Sequence, residues 1–156
     1  MLRDILINEQ KAVPTYFKAN AAMKTGMGVV LNVSTGVCAF PTAEAADNIY
    51  IADKERYATG ANAARTNFSD YEEEFHAVAK DDVVKLRHYD AGEEFATDAF
   101  TGTIAKGDAV AVGTDGKWKK AATTVASRYI CVDPAHDDAG HILLRVRVLD
   151  AAIKNS

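Results

Sequence analysis

The chain has 156 residues, of which 48% are hydrophobic and 26% charged, with a formal net charge of −4; this is the make-up of a globular protein long enough to bury its own core as one domain. The acidic balance argues against direct nucleic-acid binding, which needs a clustered basic surface, and no apolar run approaches the roughly 18 residues of a membrane span. Two cysteines, Cys38 and Cys131, lie in strand-like runs where a thiol acts as a small hydrophobe, and no disulfide between them is expected.

Residues 1–20 read as an extended N-terminal arm, with an edge strand or a frayed tail as the alternative. Leu2, Ile5, Leu6 and Ile7 form a short apolar cluster, followed by polar residues, Pro14 and the aromatic pair Tyr16 and Phe17. Asp4 and Glu9 stand close around that cluster, so the start lacks the basic region and long apolar stretch of a secretory signal, and synthesis in a cytoplasm is expected. Apolar and aromatic side chains outside the repeated part of the chain make Leu2, Ile5, Leu6, Ile7, Tyr16 and Phe17 the candidate contact residues, for a partner or for other copies of the chain.

Residues 21–156 read as one all-β domain, a small barrel or sandwich built from two related modules at about 26–90 and 91–150. The run from Gly28 through Asp53 returns as Gly107 through Asp133, with Leu31 and Val33 falling on Val110 and Val112, Gly36 on Gly116, Ile51 on Cys131 and Asp53 on Asp133. Val29–Val33 and Val37–Phe40 flank Ser34-Thr35-Gly36, and Ala109–Val112 and Lys117–Ala121 flank Gly113–Gly116; both read as hairpins. Each module is followed by a closing strand, Val83–Arg87 in one and His141–Leu149 in the other, where Leu144, Val146 and Val148 alternate with Arg145 and Arg147. Glu94–Phe100 supplies a further strand. Ala43–Asp47 and Gly60–Arg65 allow at most short helices in loops. An insertion from about Arg56 to Lys80 carries Phe68, Tyr71 and Phe75 among acidic residues; it reads either as an anchored, solvated loop or as an acidic and aromatic contact surface.

The chain carries no recognisable catalytic, cofactor or metal set. His136-Asp137-Asp138-Ala139-Gly140-His141 could gather a divalent ion, but Asp-Asp-Ala-Gly is also ordinary turn chemistry. An enzyme reading would require His136 and His141 to converge with Asp137 or Asp138. His76 and His88 have no carboxylate or nucleophile at a diagnostic spacing and read as surface or strand-face residues. No Gly-x-Ser-x-Gly elbow surrounds any serine. Gly102 and Gly107 have a phosphate-loop spacing, but Asp108 follows where a lysine would be needed. Lys117, Lys119 and Lys120 around Trp118 form a basic and aromatic patch, either a solvated edge or a contact for carbohydrate or nucleic acid.

The run Ala105–Ala122, then Tyr129–Ala135, then Ala139–Val146 resembles the small β-rich capsid decoration, or cement, proteins of tailed bacteriophages. In those a Gly-Asp-x-Val strand, a turn, an Ala-Thr stretch, a small apolar strand and an Ala-Gly-x-x-x-Val closing strand follow in that order. The resemblance covers roughly the C-terminal third; the first module departs from it, with Met27-Gly28 in place of Gly-Asp. It implies a non-enzymatic structural protein on the exterior of a virion, bound to the major capsid protein, bridging neighbouring capsid subunits and oligomeric, with a trimer favoured by shell symmetry. With the acidic charge, the missing motifs and the lack of a long apolar run, no cofactor, no direct nucleic acid and no membrane are expected. The alternative is a carbohydrate- or receptor-binding β-module of a viral fibre, which would use exposed aromatics such as Trp118 and Tyr129.

Overall fold

The computed structural model describes residues 1–6, 15–54 and 76–156. The described chain is all-β, without a helix, and combines a closed five-stranded barrel with a six-stranded sheet and a two-stranded ribbon. In chain order the strands are β1 (Leu2–Leu6), β2 (Thr15–Ala19), β3 (Met23–Lys24), β4 (Gly28–Asn32), β5 (Val37–Ala39), β6 (Tyr50–Asp53), β7 (Ala77–Val78), β8 (Val83–Arg87), β9 (Glu94–Thr97), β10 (Ala109–Val112), β11 (Trp118–Lys120), β12 (Ser127–Asp138) and β13 (His141–Ile153). The barrel runs β2-β5-β4-β6-β8, and the large sheet runs β1-β9-β13-β12-β10-β11.

Both units use one plan. In the barrel β4 pairs with β5 and β6, and β6 with β8; in the sheet β10 pairs with β11 and β12, and β12 with β13. The strand that precedes each unit lies against its closing strand, β2 on β8 and β9 on β13. The parallel contact of β2 with β5 that closes the barrel has its counterpart in the parallel bridge of Phe100 with Trp118. Turns preceding the units also match. Met27 N–H donates to Lys24 C=O and Asp108 N–H to Ala105 C=O, over Gly26 and Gly107 at φ 93° and 92°, a left-handed conformation that favours glycine.

The ladders also set the register of the echo. Gly28 and Val29 lie opposite Ile51 and Tyr50, while Ala109 and Val110 lie opposite Ile130 and Tyr129. Val29 therefore corresponds to Val110, and Leu31 to Val112, two residues from the alignment expected from sequence but on the same face of the strand. On the third strand Ala52 corresponds to Cys131, since these oppose Leu86 and Val146, and a shift beside Val132 restores Asp53 opposite Lys85 and Asp133 opposite Arg145. One extra residue at a β-bulge accounts for the offset.

Alternation assigns the cores. Val110 and Val112 face a cluster with Ile49, Ile51, Phe95, Trp118, Tyr129, Cys131, Leu144 and Val146, whereas Ala109 and Ala111 face a small-residue cluster with Ala46 and Ala121. The barrel interior holds Ala19, Val29, Cys38, Ala52, Val84 and Leu86. Both cysteines are buried and free. On the opposite face of β9, Glu94 is fully buried and accepts from Arg145 Nε at 2.6 Å and Arg147 Nε at 2.6 Å.

Several expectations are corrected. Residues 1–20 are not an arm where they are described: Leu2–Leu6 is an edge strand on β9, and Thr15–Ala19 is a stave of the barrel. Ala43–Asp47 forms no helix, because Ala45 exchanges both backbone hydrogen bonds with Val112. His136, Asp137 and Asp138 belong to β12, and the turn shrinks to Ala139-Gly140, both left-handed at φ 53° and 90°, the geometry of a tight two-residue hairpin. Gly60–Arg65, Phe68, Tyr71 and Phe75 lie outside the described residues.

Candidate functional site

The candidate contact residues are divided between two sheets. Leu2 packs on the main core, Ile5 on a small cluster with Met1, Ala96 and Leu143, and Phe17 on the barrel interior. Leu6 and Tyr16 remain open, at 52% and 48% exposure. Ile7 lies outside the described residues.

Tyr16 has apolar company. On the outer wall of the barrel Lys18 lies between Val37 of β5 and Val83 of β8, and Tyr16 lies opposite Lys85. Residues paired across a ladder share a face, so Val37, Lys18, Val83, Tyr16 and Lys85 form one patch of three adjacent strands. Val83 is 63% exposed. Lys18 is the exposed cation of the patch, since the Lys85 ammonium lies 3.8 Å from the Asp53 carboxylate.

Asp4 anchors the edge strand β1 to the barrel. Its carboxylate accepts from Tyr89 Oη and from the Arg87 guanidinium, while Arg87 Nε donates to Asp53 at 2.7 Å. Burial, followed by the Asp4 carboxylate, pushes the Tyr89 hydroxyl far above its ordinary range. Arg3 reaches Asp138 near the tip of the long β12–β13 hairpin. Each polar side chain of β1 thus carries a structural contact.

A cleft of about 380 Å³ opens where the units meet, lined by Lys24, Thr25, Met27, His76, Asp98, Phe100, Lys117 and His141 among others. Between its lining residues Thr25 and Met27, Gly26 C=O accepts from Trp118 Nε1 and Thr97 Oγ1, both at 3.2 Å. Asp98 is paired with the Met1 amino group. A second cleft of about 390 Å³ is lined by Asp47, His88, Asp90 and Arg128 over Tyr89 and Tyr129.

His76, read from sequence as a surface or strand-face residue, is buried immediately before β7. His88 keeps to the surface, tilted against Tyr50 with ring centres 4.9 Å apart. His136 lies opposite Leu143 and His141 opposite Asp138; among the described residues no three histidine, cysteine or acidic side chains gather at a point that could hold a metal ion.

Trp118 and Tyr129 are buried. Their rings meet edge to face at 5.0 Å, and Tyr129 Oη accepts from Ile49 N–H at 3.0 Å. Burial raises the Tyr129 hydroxyl to about 12. The lysines around Trp118 point elsewhere, Lys119 to Glu44 and Lys120 to Asp108, each at 2.8 Å. Sequence reading missed the Val83 side of the barrel patch and both clefts. Searches against protein-family models and curated proteins give no match to this chain.

Proposed function

We propose that the chain is a capsid decoration protein of the tailed-bacteriophage type, which sits on the outside of the virion and stabilises contacts between major capsid subunits. The observation that carries this reading is the doubled β-unit: two copies of one strand plan, the second with the sequence order of the decoration proteins, joined into one stiff body. A clamp must resist shear between the subunits it bridges, and short strands interlocked through buried side chains supply that stiffness without moving parts. The barrel patch of Tyr16, Lys18, Val37 and Val83 is the contact surface this reading favours, with Leu6 of the edge strand as a second point. Matching the symmetry of a shell favours a trimer as the working unit.

The viral-fibre alternative depends on exposed aromatic rings for stacking on a sugar. Trp118 and Tyr129 are committed to the core, so the decoration reading is preferred.

The test mixes purified protein with undecorated heads and measures co-sedimentation. The wild-type chain should pellet with heads at saturable stoichiometry. Tyr16→Glu with Val83→Glu should abolish pelleting while the melting temperature falls by only a few degrees, because Val83 is mostly exposed and Tyr16 about half exposed. No binding of wild-type protein to heads of any tested phage would sink the proposal.

A further inference from the structure

The two units are joined head to tail. The β10–β11 hairpin of the second unit is seated on β4 of the first: Gly28 N–H donates to Gly116 C=O at 2.8 Å. Val112 fills the space beside Gly28, where a Cβ would come within 2.4 Å of its methyl group, and a Cβ on Gly116 would meet Phe40 at 2.5 Å.

A head-to-tail joint leaves one unused half at each end. At one end is the β4–β5 hairpin, equivalent to the seated one. Val33 there is 77% exposed and Gly36 has nothing within 4 Å of its would-be Cβ. At the other end is Ala109 on β10, the counterpart of Gly28. Its N–H donates at 2.8 Å to Asn155 Oδ1, while Asn155 Nδ2 donates to Ala109 C=O at 2.9 Å and Ala121 C=O at 2.7 Å. The amide of Asn155 therefore occupies the place at the second unit that the Gly116 carbonyl occupies at the first. Ile153 fills the neighbouring small-residue pocket of Ala46, Ala109, Ala111 and Ala121. Ala109 also carries the methyl group that Gly28 lacks.

We propose that the Val33–Gly36 hairpin and the Ala109 strand are the two halves of a surface for a second copy of this chain, and that Asn155 is a plug that keeps them apart. With the plug in place the head-to-tail series stops after two units. With it removed, the hairpin of one copy seats on β10 of the next and the series continues. The proposal is independent of the capsid reading, since it concerns only contacts between copies of this chain.

The test compares the full-length chain with a double variant that ends at Ala152, so that Ile153 and Asn155 are both gone, and carries Ala109→Gly to restore the Gly28 geometry, by sedimentation velocity across a concentration series. The double variant should self-associate at least about tenfold more tightly than wild type, and adding Val33→Asp at the hairpin tip should return it to wild-type behaviour. Ile153→Ala with Asn155→Ala and Ala109→Gly provides the same test in the full-length chain, and circular dichroism checks that each variant keeps its strands. A double variant that sediments like wild type overturns the proposal, as does association that Val33→Asp leaves unchanged.

Discussion

Trp118 and Gly26 meet across the junction of the two units: the indole N–H donates to the Gly26 carbonyl at 3.2 Å, and Thr97 Oγ1 shares that acceptor. Gly26 belongs to the turn that starts the first unit, and Trp118 to the edge strand of the second, where it packs on Phe95 and Tyr129 with ring centres 5.2 and 5.0 Å away. One side chain thus fills the core of its own unit and fixes the entry turn of the other. Trp118→Ala should cost about 3–5 kcal/mol in urea unfolding. Trp118→Phe, which keeps most of the packing but leaves Gly26 with one donor fewer, should cost less, and a loss below about 0.5 kcal/mol would show that the shared hydrogen bond contributes little.

Gly116 and Gly36 separate backbone strain from packing. Both are left-handed, at φ 78° and 68°, but a Cβ on Gly116 would meet Phe40 whereas one on Gly36 meets nothing. Gly36→Ala should cost about 1–2 kcal/mol from the conformation alone, and Gly116→Ala about 1–3 kcal/mol more from overpacking. Equal losses in thermal melts would contradict the close seating of the second hairpin.

Ala139 occupies a left-handed position at φ 53° beside Gly140, where an Asn-Gly pair is the favoured chemistry. Ala139→Asn is expected to stabilise the protein by up to about 1 kcal/mol. A lower unfolding midpoint for this variant would argue against the tight two-residue turn.

Burial raises the thiols of Cys38 and Cys131 to about 11, with Asp108 and Asp133 adding to the effect at Cys131. Thiolate, the reactive form, is then scarce at neutral pH. Ellman's reagent should find neither thiol in native protein and both in denaturant; prompt labelling of the native chain would place a cysteine at the surface.

Two ion pairs give stability a defined acid dependence. A hydrogen bond from Lys120, with a second from Ala105 N–H, holds the Asp108 carboxyl below its ordinary value. At Glu44 partial burial opposes ionisation, but Lys119 and Ala122 N–H outweigh it, and its carboxyl is also lowered. In both cases the folded form is the stronger acid, so the contribution is complete above the ordinary carboxylate range, near pH ~4, and disappears as pH falls through the folded value below it. Asp108→Asn and Glu44→Gln should each flatten the fall in melting temperature below about pH 4, and unchanged acid profiles would contradict both pairings.

Local chemistry made part of this fold legible. The hairpins at Ser34–Gly36 and Gly113–Gly116 announce themselves through turn residues between apolar runs, and Val83–Arg87 appears as read. The pairings of the first two strands do not, because Thr15 pairs with Leu86 and Leu2 with Thr97, partners that no short window contains. Trp118 was concealed by its lysines: with Lys117 and Lys119 on either side it reads as surface, although period-two alternation turns it to the opposite face. Of the candidate contacts, Leu6 and Tyr16 are open, while Leu2, Ile5 and Phe17 complete cores. The exposure of Val83 lies in the same alternation, since Val83 shares its face of β8 with Lys85 and Arg87 while Val84 and Leu86 turn to the barrel interior.

The main core has a thermodynamic corollary. Ile49 and Ile51 come from the first unit, whereas Val112, Trp118, Tyr129 and Leu144 come from the second, yet all belong to one cluster. Melting either unit alone would open that shared cluster to water, so neither unit unfolds without cost to the other. Calorimetry on this chain should therefore record a single cooperative transition, with calorimetric and van't Hoff enthalpies in agreement. The repeat is visible in the strand order and silent in the energetics: two units of one strand plan interlock into one cooperative block.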